Sequence, residues 1–222
     1  DEGNVRAWYR YITGRLPTFP EAALQHAYSH VAERLAVIRQ EPTDPRQWPP
    51  GSRWENDVHH WLNRNPVTCE ALVQTMLGAP MPLYHGGLLH AQVRYFDEAN
   101  GRAGLPPDVA ALVEQVDAQG LGLRLVNLNP LQGATLLVQT GSFGEHRLTQ
   151  VTDRHTQRVT AVDSNQLRVE LAPAATLQVR LDLQRFVQMP AYHIPQCFTE
   201  PYKIGSRCST HIRWKENVCR SR

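Results

Sequence analysis

Long apolar runs, an excess of charge of one sign and an abundance of cysteine are all missing from this chain of 222 residues. No stretch approaches the roughly 18 apolar residues that a membrane-spanning helix needs, so no membrane partner is expected. The net charge is only +2 and the arginines are scattered, which argues against a nucleic-acid-binding face. What remains is the composition of an ordinary soluble globular protein, 41% hydrophobic and 20% charged.

Several motifs that would identify a type of reaction are absent as well. The sequence contains no phosphate-binding glycine loop, no dinucleotide fingerprint and no G-x-S-x-G turn. Of four cysteines, Cys69 lies in an apolar helical pattern and is expected to be a buried thiol. The others, spaced C-x10-C-x10-C near the C-terminus, do not match zinc pairs, which lie about two to four residues apart. One disulfide stays possible in an oxidising compartment. We expect no cofactor, and a cytoplasmic, periplasmic or secreted location stays open.

The sequence does contain a change of apolar period. Up to about Asp97 the spacing is helical, and residues 1–98 form the first predicted domain. Its long helix begins with Thr18, Pro20 and Glu21, the pattern of a capping box. One apolar stripe on this helix predicts a buried face, made by Leu24, Tyr28, Val31, Leu35 and Ile38. Two histidines opposite the stripe, at positions 26 and 30, are expected to be exposed.

Two shorter helices flank the long one in the sequence. The aromatic segment NVRAWYRYITG is predicted to end at Gly14 and to form a helical hairpin with the long helix. The segment NPVTCEALVQTMLG predicts a third helix, with Asn65 as its cap, Pro66 at its start and Gly78 at its end.

From about Pro106 the apolar period becomes two. The segment LVEQVDAQGLGLRLVNLNP predicts a hairpin, and five further short segments follow, the last being TLQVRLDLQRF. Six or seven such strands indicate an antiparallel β-sandwich over residues 106–190. The fold class is therefore α+β, and the boundary between helices and strands is predicted between Tyr84 and Pro106. The basic tail, residues 191–222, is an ordered extension, a disordered end or sequence foreign to the domain, and we favour the last two.

Two passages carry a resemblance to a known architecture. AWYRYITGRLPTFPEAALQHAYSHVAERL resembles a helical hairpin from the (α/α) toroid of glycan-processing enzymes. RLVNLNPLQGATLLVQTGSFGEHRL and VELAPAATLQVRLDL resemble the sandwich that follows such toroids in polysaccharide lyases and glycoside hydrolases. The resemblance covers residues 5–190 and implies that the chain carries the toroid-like end of a larger protein, together with its sandwich. Catalytic residues would then partly lie elsewhere in that protein.

The first candidate site is the polar and aromatic stretch WENDVHHWLNRNP. The indoles of Trp54 and Trp61 would stack on a sugar ring, and Asn56 and Asn63 would bind hydroxyls or a carboxylate. His59 titrates near neutral pH and is a candidate base. The alternative is that both indoles pack into the core while the polar side chains face water.

A second candidate site is PMPLYHGGLLH, where a glycine pair permits close approach of the backbone to a ligand. Tyr84 as proton donor and His85 as base would suit a lyase that removes the proton beside a uronate carboxyl. An interdomain linker is the alternative. His59, His85 and His90 together are a weak metal candidate, because no metal-binding spacing supports it, and we predict no metal.

The third candidate is Glu145 in GSFGEHRL, a glycine-bordered loop between strands. Glu145 would contact substrate or orient a histidine, or it would simply form a local charge pair in a hairpin loop.

Together these features predict a carbohydrate-active protein that acts on an oligo- or polysaccharide. The chain would be the C-terminal portion of a toroid-type glycan-degrading enzyme, either a lyase or a hydrolase. The competing hypothesis is a non-catalytic module whose sandwich binds glycan or a protein partner.

Overall fold

The structure is a computed structural model that describes residues 2–41, 44–47, 64–80, 90–192 and 210–213. The chain divides into two compact units. The sandwich unit comprises Asp1–Pro17 and Val73–Arg222, and the helical unit comprises Thr18–Leu72. Within the ranges given above, no helix is long and apolar enough to cross a membrane.

In the described part of the chain, three α-helices precede the strands. They are α1 (Glu2–Ile12), α2 (Phe19–Gln40) and α3 (Glu70–Leu77), and a short 3-10 helix covers Pro45–Gln47. Helix α1 ends as predicted: Gly14 adopts a φ of 79°, and its N–H donates to the Tyr11 carbonyl over 2.8 Å.

Helix α1 packs on the sandwich. The Tyr11 hydroxyl donates a 2.8 Å hydrogen bond to the carbonyl of Val113 on strand β3 (Val109–Asp117), an edge strand of its sheet. The register of β3 shifts between Val113 and Gln115, so a local irregularity adjoins that carbonyl. Burial, together with the negative charge of Glu114, raises the pKa of Tyr11, which therefore stays a neutral donor.

The toroid part of the fold-class prediction is wrong for the helices that the structure describes. A toroid is built from repeated helix pairs that pack on one another around a ring. The three helices here have 11, 22 and 8 residues, and α1 lies against a β-strand. The common pattern of aromatic and aliphatic residues marked a buried face on α1 without identifying what covers it.

The predicted apolar stripe of α2 is not buried. Tyr28 is 72% exposed and the other four stripe residues are half-buried; Phe19 is the buried residue of this helix. His26 is exposed as expected, while His30 is half-buried. The predicted capping box is also wrong, because Thr18 makes no side-chain cap hydrogen bond.

Helix α3 is shorter than predicted, since it begins at Glu70 rather than at Pro66. The Glu70 carboxylate accepts hydrogen bonds from the Thr68 hydroxyl and from the backbone N–H of Cys69, which holds the preceding residues in a non-helical turn. Cys69 is exposed, so the prediction of a buried thiol is wrong. Gly78 follows the helix with a φ of 66°, as its predicted terminal position requires.

Two sheets follow the helices. Besides β3, their strands are β1 (Val93–Asp97), β2 (Arg102–Ala103), β4 (Gly120–Asn127), β5 (Ala134–Thr140), β6 (Arg147–Asp153), β7 (Val159–Ser164), β8 (Gln166–Leu171), β9 (Thr176–Gln184) and β10 (Thr210–Arg213). Sheet A has the strand order β10-β8-β5-β1-β2 and sheet B the order β3-β4-β9-β6-β7. The described pairings are antiparallel except that β10 runs parallel to β8.

The core lies between the inward faces of both sheets. Strand β9 shows the alternation that the sequence predicts: Leu177, Val179, Leu181 and Leu183 are buried, and the residues between them are half-buried. Buried side chains from sheets A and B form one apolar cluster. The first strand begins at Val93, inside the predicted boundary interval but ahead of the range expected for the sandwich.

The C-terminal tail contributes a strand. Residues Thr210–Arg213 pair with Leu167–Glu170 of β8, so these four positions form a strand of sheet A. The origin of the tail stays a prediction. Cys197, Cys208 and Cys219 lie outside the described residues.

Candidate functional site

Most of the predicted site lies beyond the residues that the structure describes. These predicted residues are Trp54, Asn56, His59, Trp61, Asn63, Tyr84 and His85. Their roles stay predictions. His90 is described and exposed. Among the proposed substrate-binding residues, Glu145 lies within the described ranges.

Glu145 belongs to the loop between β5 and β6, residues 141–146, which we call the sandwich loop. Its side chain is buried, with 6% exposed. One carboxylate oxygen accepts a hydrogen bond from the Ser142 N–H over 3.1 Å, and the other accepts from the Phe143 N–H over 2.7 Å. Both oxygens thus point back into the loop. The arrangement gives Glu145 the role of holding the loop backbone in shape.

Two glycines make this loop conformation possible. Gly141 and Gly144 have φ angles of 82° and 72°. A Cβ atom added at Gly141 would lie 2.4 Å from the Glu145 Cδ, so the carboxylate occupies the space that a side chain would need. The Asn165 side-chain amide donates to the Gly144 carbonyl over 3.1 Å. The glycine borders that drew attention in the sequence are therefore explained by close packing around Glu145.

His146 is the neighbouring buried group, with 2% exposed. Its Nδ1 accepts a 3.1 Å hydrogen bond from the backbone N–H of Phe186, so the neutral ring carries its proton on Nε2. Nε2 lies 3.9 Å from the Glu145 carboxylate, which is beyond hydrogen-bonding distance. Burial lowers the pKa of His146; the charge of Glu145 opposes this shift, and that of Arg185 adds to it.

The residues that bind to the sandwich loop are Phe186–Tyr192, which we call the strap. The N–H of Gln188 donates to the Glu145 carbonyl over 3.2 Å, and the N–H of Ala191 donates to the Phe143 carbonyl over 2.9 Å. The Phe186 ring meets the His146 ring edge-on, with 4.7 Å between centroids. The Tyr192 ring lies 5.6 Å from that of Phe143.

The strap exposes an unusual amount of apolar side chain. Phe186 is 74% exposed, Val187 55%, Met189 87% and Tyr192 80%. Single exposed apolar residues are common, but four within seven positions form a patch that indicates binding. This patch was not predicted from the sequence. Its signal was the run FVQMPAY, in which large apolar residues continue after the strand alternation ends.

The chemistry available in this region is limited. The Glu145 carboxylate accepts two backbone hydrogen bonds and the His146 ring is buried, so both side chains are enclosed by the protein in this structure. Across the described ranges, no group of three or more histidine, cysteine, aspartate or glutamate side chains is placed to hold a metal ion. The exposed aromatic rings, by contrast, are directly accessible to a ligand.

The helical unit has a separate surface feature. A small groove of about 60 Å³ lies between α2 and the chain around α3, lined by Leu24, Ala27, Tyr28, Val31, Thr68, Ala71 and Leu72. The lining offers two hydroxyl groups, those of Tyr28 and Thr68, and the Thr68 hydroxyl already donates to Glu70, so the groove has few groups with which to recognise a sugar.

The comparisons with known proteins bear on the first third of the chain. Residues 1–73 match a family described as a domain of unknown function (DUF8034). No curated protein matches the chain. The matched residues cover α1, α2 and the first turn of α3, and the strands lie outside the match.

Proposed function

We propose that this chain belongs to a carbohydrate-active protein and that its sandwich unit is a non-catalytic, glycan-binding module. The observation that supports this function is the presence of two exposed rings on the strap, Phe186 and Tyr192, the second of which lies 5.6 Å from the half-buried Phe143 ring of the sandwich loop. One face of a sugar ring carries mainly C–H bonds, and aromatic faces attract such groups through their electron-rich surface.

The position of the cluster suits a binding role. Loops at the end of a sandwich carry function while the sheets hold them in place. The sandwich loop is fixed by Glu145 and by the Asn165 amide, so its ring Phe143 is presented from a rigid base. The amide side chain of Gln188 lies in the chain between the two exposed rings and supplies a donor and an acceptor for hydroxyl groups.

Catalysis remains a separate proposal about the rest of the protein. We propose that if the full protein degrades a glycan, Tyr84 acts as acid and His59 or His85 as base, with Trp54 and Trp61 stacking on the substrate. Asn56 and Asn63 would hold its polar groups. These assignments come from residue type and from the resemblance to toroid-type lyases and hydrolases.

The proposal is tested first by binding. Calorimetric titrations with uronate-containing and neutral oligosaccharides should show binding, and Tyr192→Ala should weaken it by about 2- to 10-fold, the range for loss of one ring contact. Tyr9→Ala is the matched control, because Tyr9 is also exposed (58%) but lies on α1. The proposal fails if no saccharide binds, or if the two variants bind equally well.

Activity is tested on the same polysaccharides. A lyase would generate unsaturated products that absorb ultraviolet light, and a hydrolase would generate new reducing ends. Loss of either signal in His85→Ala, with binding retained, would support the catalytic assignment. The assignment would be contradicted if His85→Ala and His59→Ala both formed products at the rate of the wild-type protein.

A protein partner is the second candidate function. It is favoured by Val187 and Met189, which are exposed but cannot stack on sugars as rings do. Met189→Ser should leave glycan binding unchanged under the first proposal. If the strap instead contacts a protein, this substitution should abolish that contact, and calorimetric titration of the wild-type protein with glycans should detect no binding.

A further inference from the structure

The strap is fastened to the sandwich loop at three points along its backbone. The N–H groups of Phe186, Gln188 and Ala191 donate to His146 Nδ1, to the Glu145 carbonyl and to the Phe143 carbonyl, respectively. Two of these acceptors are peptide carbonyls, whose capacity does not change with pH. The first is an imidazole nitrogen, which accepts only while it is unprotonated.

Phe186 is held in a conformation that its side chain disfavours. Its φ is 56°, in the left-handed region that residues other than glycine rarely adopt and that is uncommon for a bulky side chain. Its two contacts with His146 are the backbone hydrogen bond and the edge-on ring contact. The ring is otherwise 74% exposed, so these contacts carry much of the restraint on this residue.

The surroundings of His146 decide how readily it takes up a proton. The sandwich loop contributes the Glu145 carboxylate, 3.9 Å from Nε2, and a hydrogen bond with the Glu145 backbone, and both favour the charged ring. The chain after β9 contributes the Arg185 guanidinium, which disfavours it. From β5, Thr140 contributes an uncharged hydroxyl that donates to the His146 carbonyl. On β6, the guanidinium of Arg147 is paired with Asp163 of β7 at 2.6 Å.

We propose that His146 is an acid-sensitive latch: protonation of its imidazole releases the first residues of the strap from the sandwich loop. A proton on Nδ1 turns the acceptor of the Phe186 N–H into a second donor, so the hydrogen bond is lost. Phe186 is then free to leave its left-handed conformation. The bonds of Gln188 and Ala191 keep the later strap in place, and the exposed apolar patch is rearranged. This inference does not depend on what the patch binds.

The direction of the pH dependence follows from the buried neutral ring. Because burial holds the pKa of His146 below that of a histidine in an unfolded chain, about 6.5, the unfolded chain binds more protons. The stabilisation is present above that value. It is lost as the pH falls from there to the lower pKa of the folded state.

The experiment follows the backbone amides of the strap by NMR while the pH is lowered from about 7.5 to about 5, the range in which histidines titrate. Exchange rates are expressed as protection relative to an unfolded chain, which removes the intrinsic effect of pH. Protection of the Phe186 amide should fall by about 2- to 12-fold, the factor that corresponds to one typical hydrogen bond. The fall should share its midpoint with the titration of the His146 ring nitrogens. Protection at Ala191 should change less.

Three variants sharpen the result. His146→Gln should make Phe186 protection independent of pH, because an amide does not titrate. His155→Gln is the matched control, since His155 is exposed on the β6–β7 turn and its removal should leave the response intact. Glu145→Gln should move the midpoint to lower pH, because the charge that favours the imidazolium is gone.

Two outcomes would overturn the latch. One is a Phe186 amide that keeps its protection while the His146 ring signals titrate. The other is a ring that stays neutral until the whole sandwich unfolds. Both are read from the wild-type protein, so the proposal remains testable even if His146→Gln does not fold.

Discussion

Replacing Leu181 with alanine should destabilise the sandwich by about 2–5 kcal/mol, the range for a large-to-small change in a closed core. Leu181 lies on β9, the central strand of sheet B, where it is opposite Leu121 on one side and Val151 on the other. All three side chains are 0% exposed. The neighbouring strands are held by ladders on both sides, so they cannot move inward to fill the cavity.

The matched control is Leu131→Ala, which makes the same chemical change at a residue that is 85% exposed. It should change the free energy of unfolding by less than about 0.5 kcal/mol. Urea unfolding followed by circular dichroism gives both values. Amide exchange of β4 and β9 restricts the measurement to the sandwich unit, because the helical unit can unfold separately. Equal losses in the two variants would refute the assignment of β9 to the core.

Three further changes test local features of the structure. Gly141→Ala should destabilise the protein by more than about 1 kcal/mol, since it adds a clash with the Glu145 carboxylate to the strain of a positive φ. Gly101 also has a positive φ, 58°, but no atom lies within 4 Å of an added Cβ, so Gly101→Ala should show the strain alone in the same urea titration. Tyr11→Phe should cost about 0.5–1.5 kcal/mol through its lost hydrogen bond to β3, whereas Tyr9→Phe should leave the unfolding midpoint unchanged. The hydrogen bond with Arg180 on β9 lowers the pKa of Asp117 to about 2. The contribution of Asp117 to stability is therefore present above the pKa of an unfolded aspartate, about 3.9, and is lost as the pH falls toward 2. Asp117→Asn should flatten the dependence of the free energy of unfolding on pH in that interval.

The helices show how far local pattern could be followed. The end of α1 at Gly14 and the end of α3 before Gly78 were predictable, because a left-handed residue after a helix is a local requirement. The start of α3 was not, because Glu70 turns its carboxylate back on the preceding backbone instead of extending the helix to Pro66. The stripe of α2 has the right spacing for a buried face, yet Tyr28 is 72% exposed. Spacing identifies a face and not its partner.

The candidate site divides in the same way. Glu145 was found because a charged residue in a glycine-containing connection between two strands is visible in the sequence. The strap that binds the same loop was missed, because Phe186 follows His146 by 40 positions and no local pattern links them. The predicted carboxylate role toward a ligand stays a prediction, and the structure adds the bonds by which Glu145 holds its own loop.

By itself, the sequence determined the α+β class, the position of the change from helix to strand and the inward face of strands such as β9. Alternation places side chains on opposite faces of a strand wherever that strand pairs, so these features need no knowledge of neighbours. Only the tertiary structure decided that α1 lies against the edge of β3, that β10 joins β8, and that the strap closes over His146. Those contacts join groups that are far apart in the chain. They form because a buried polar group without a hydrogen-bond partner costs free energy.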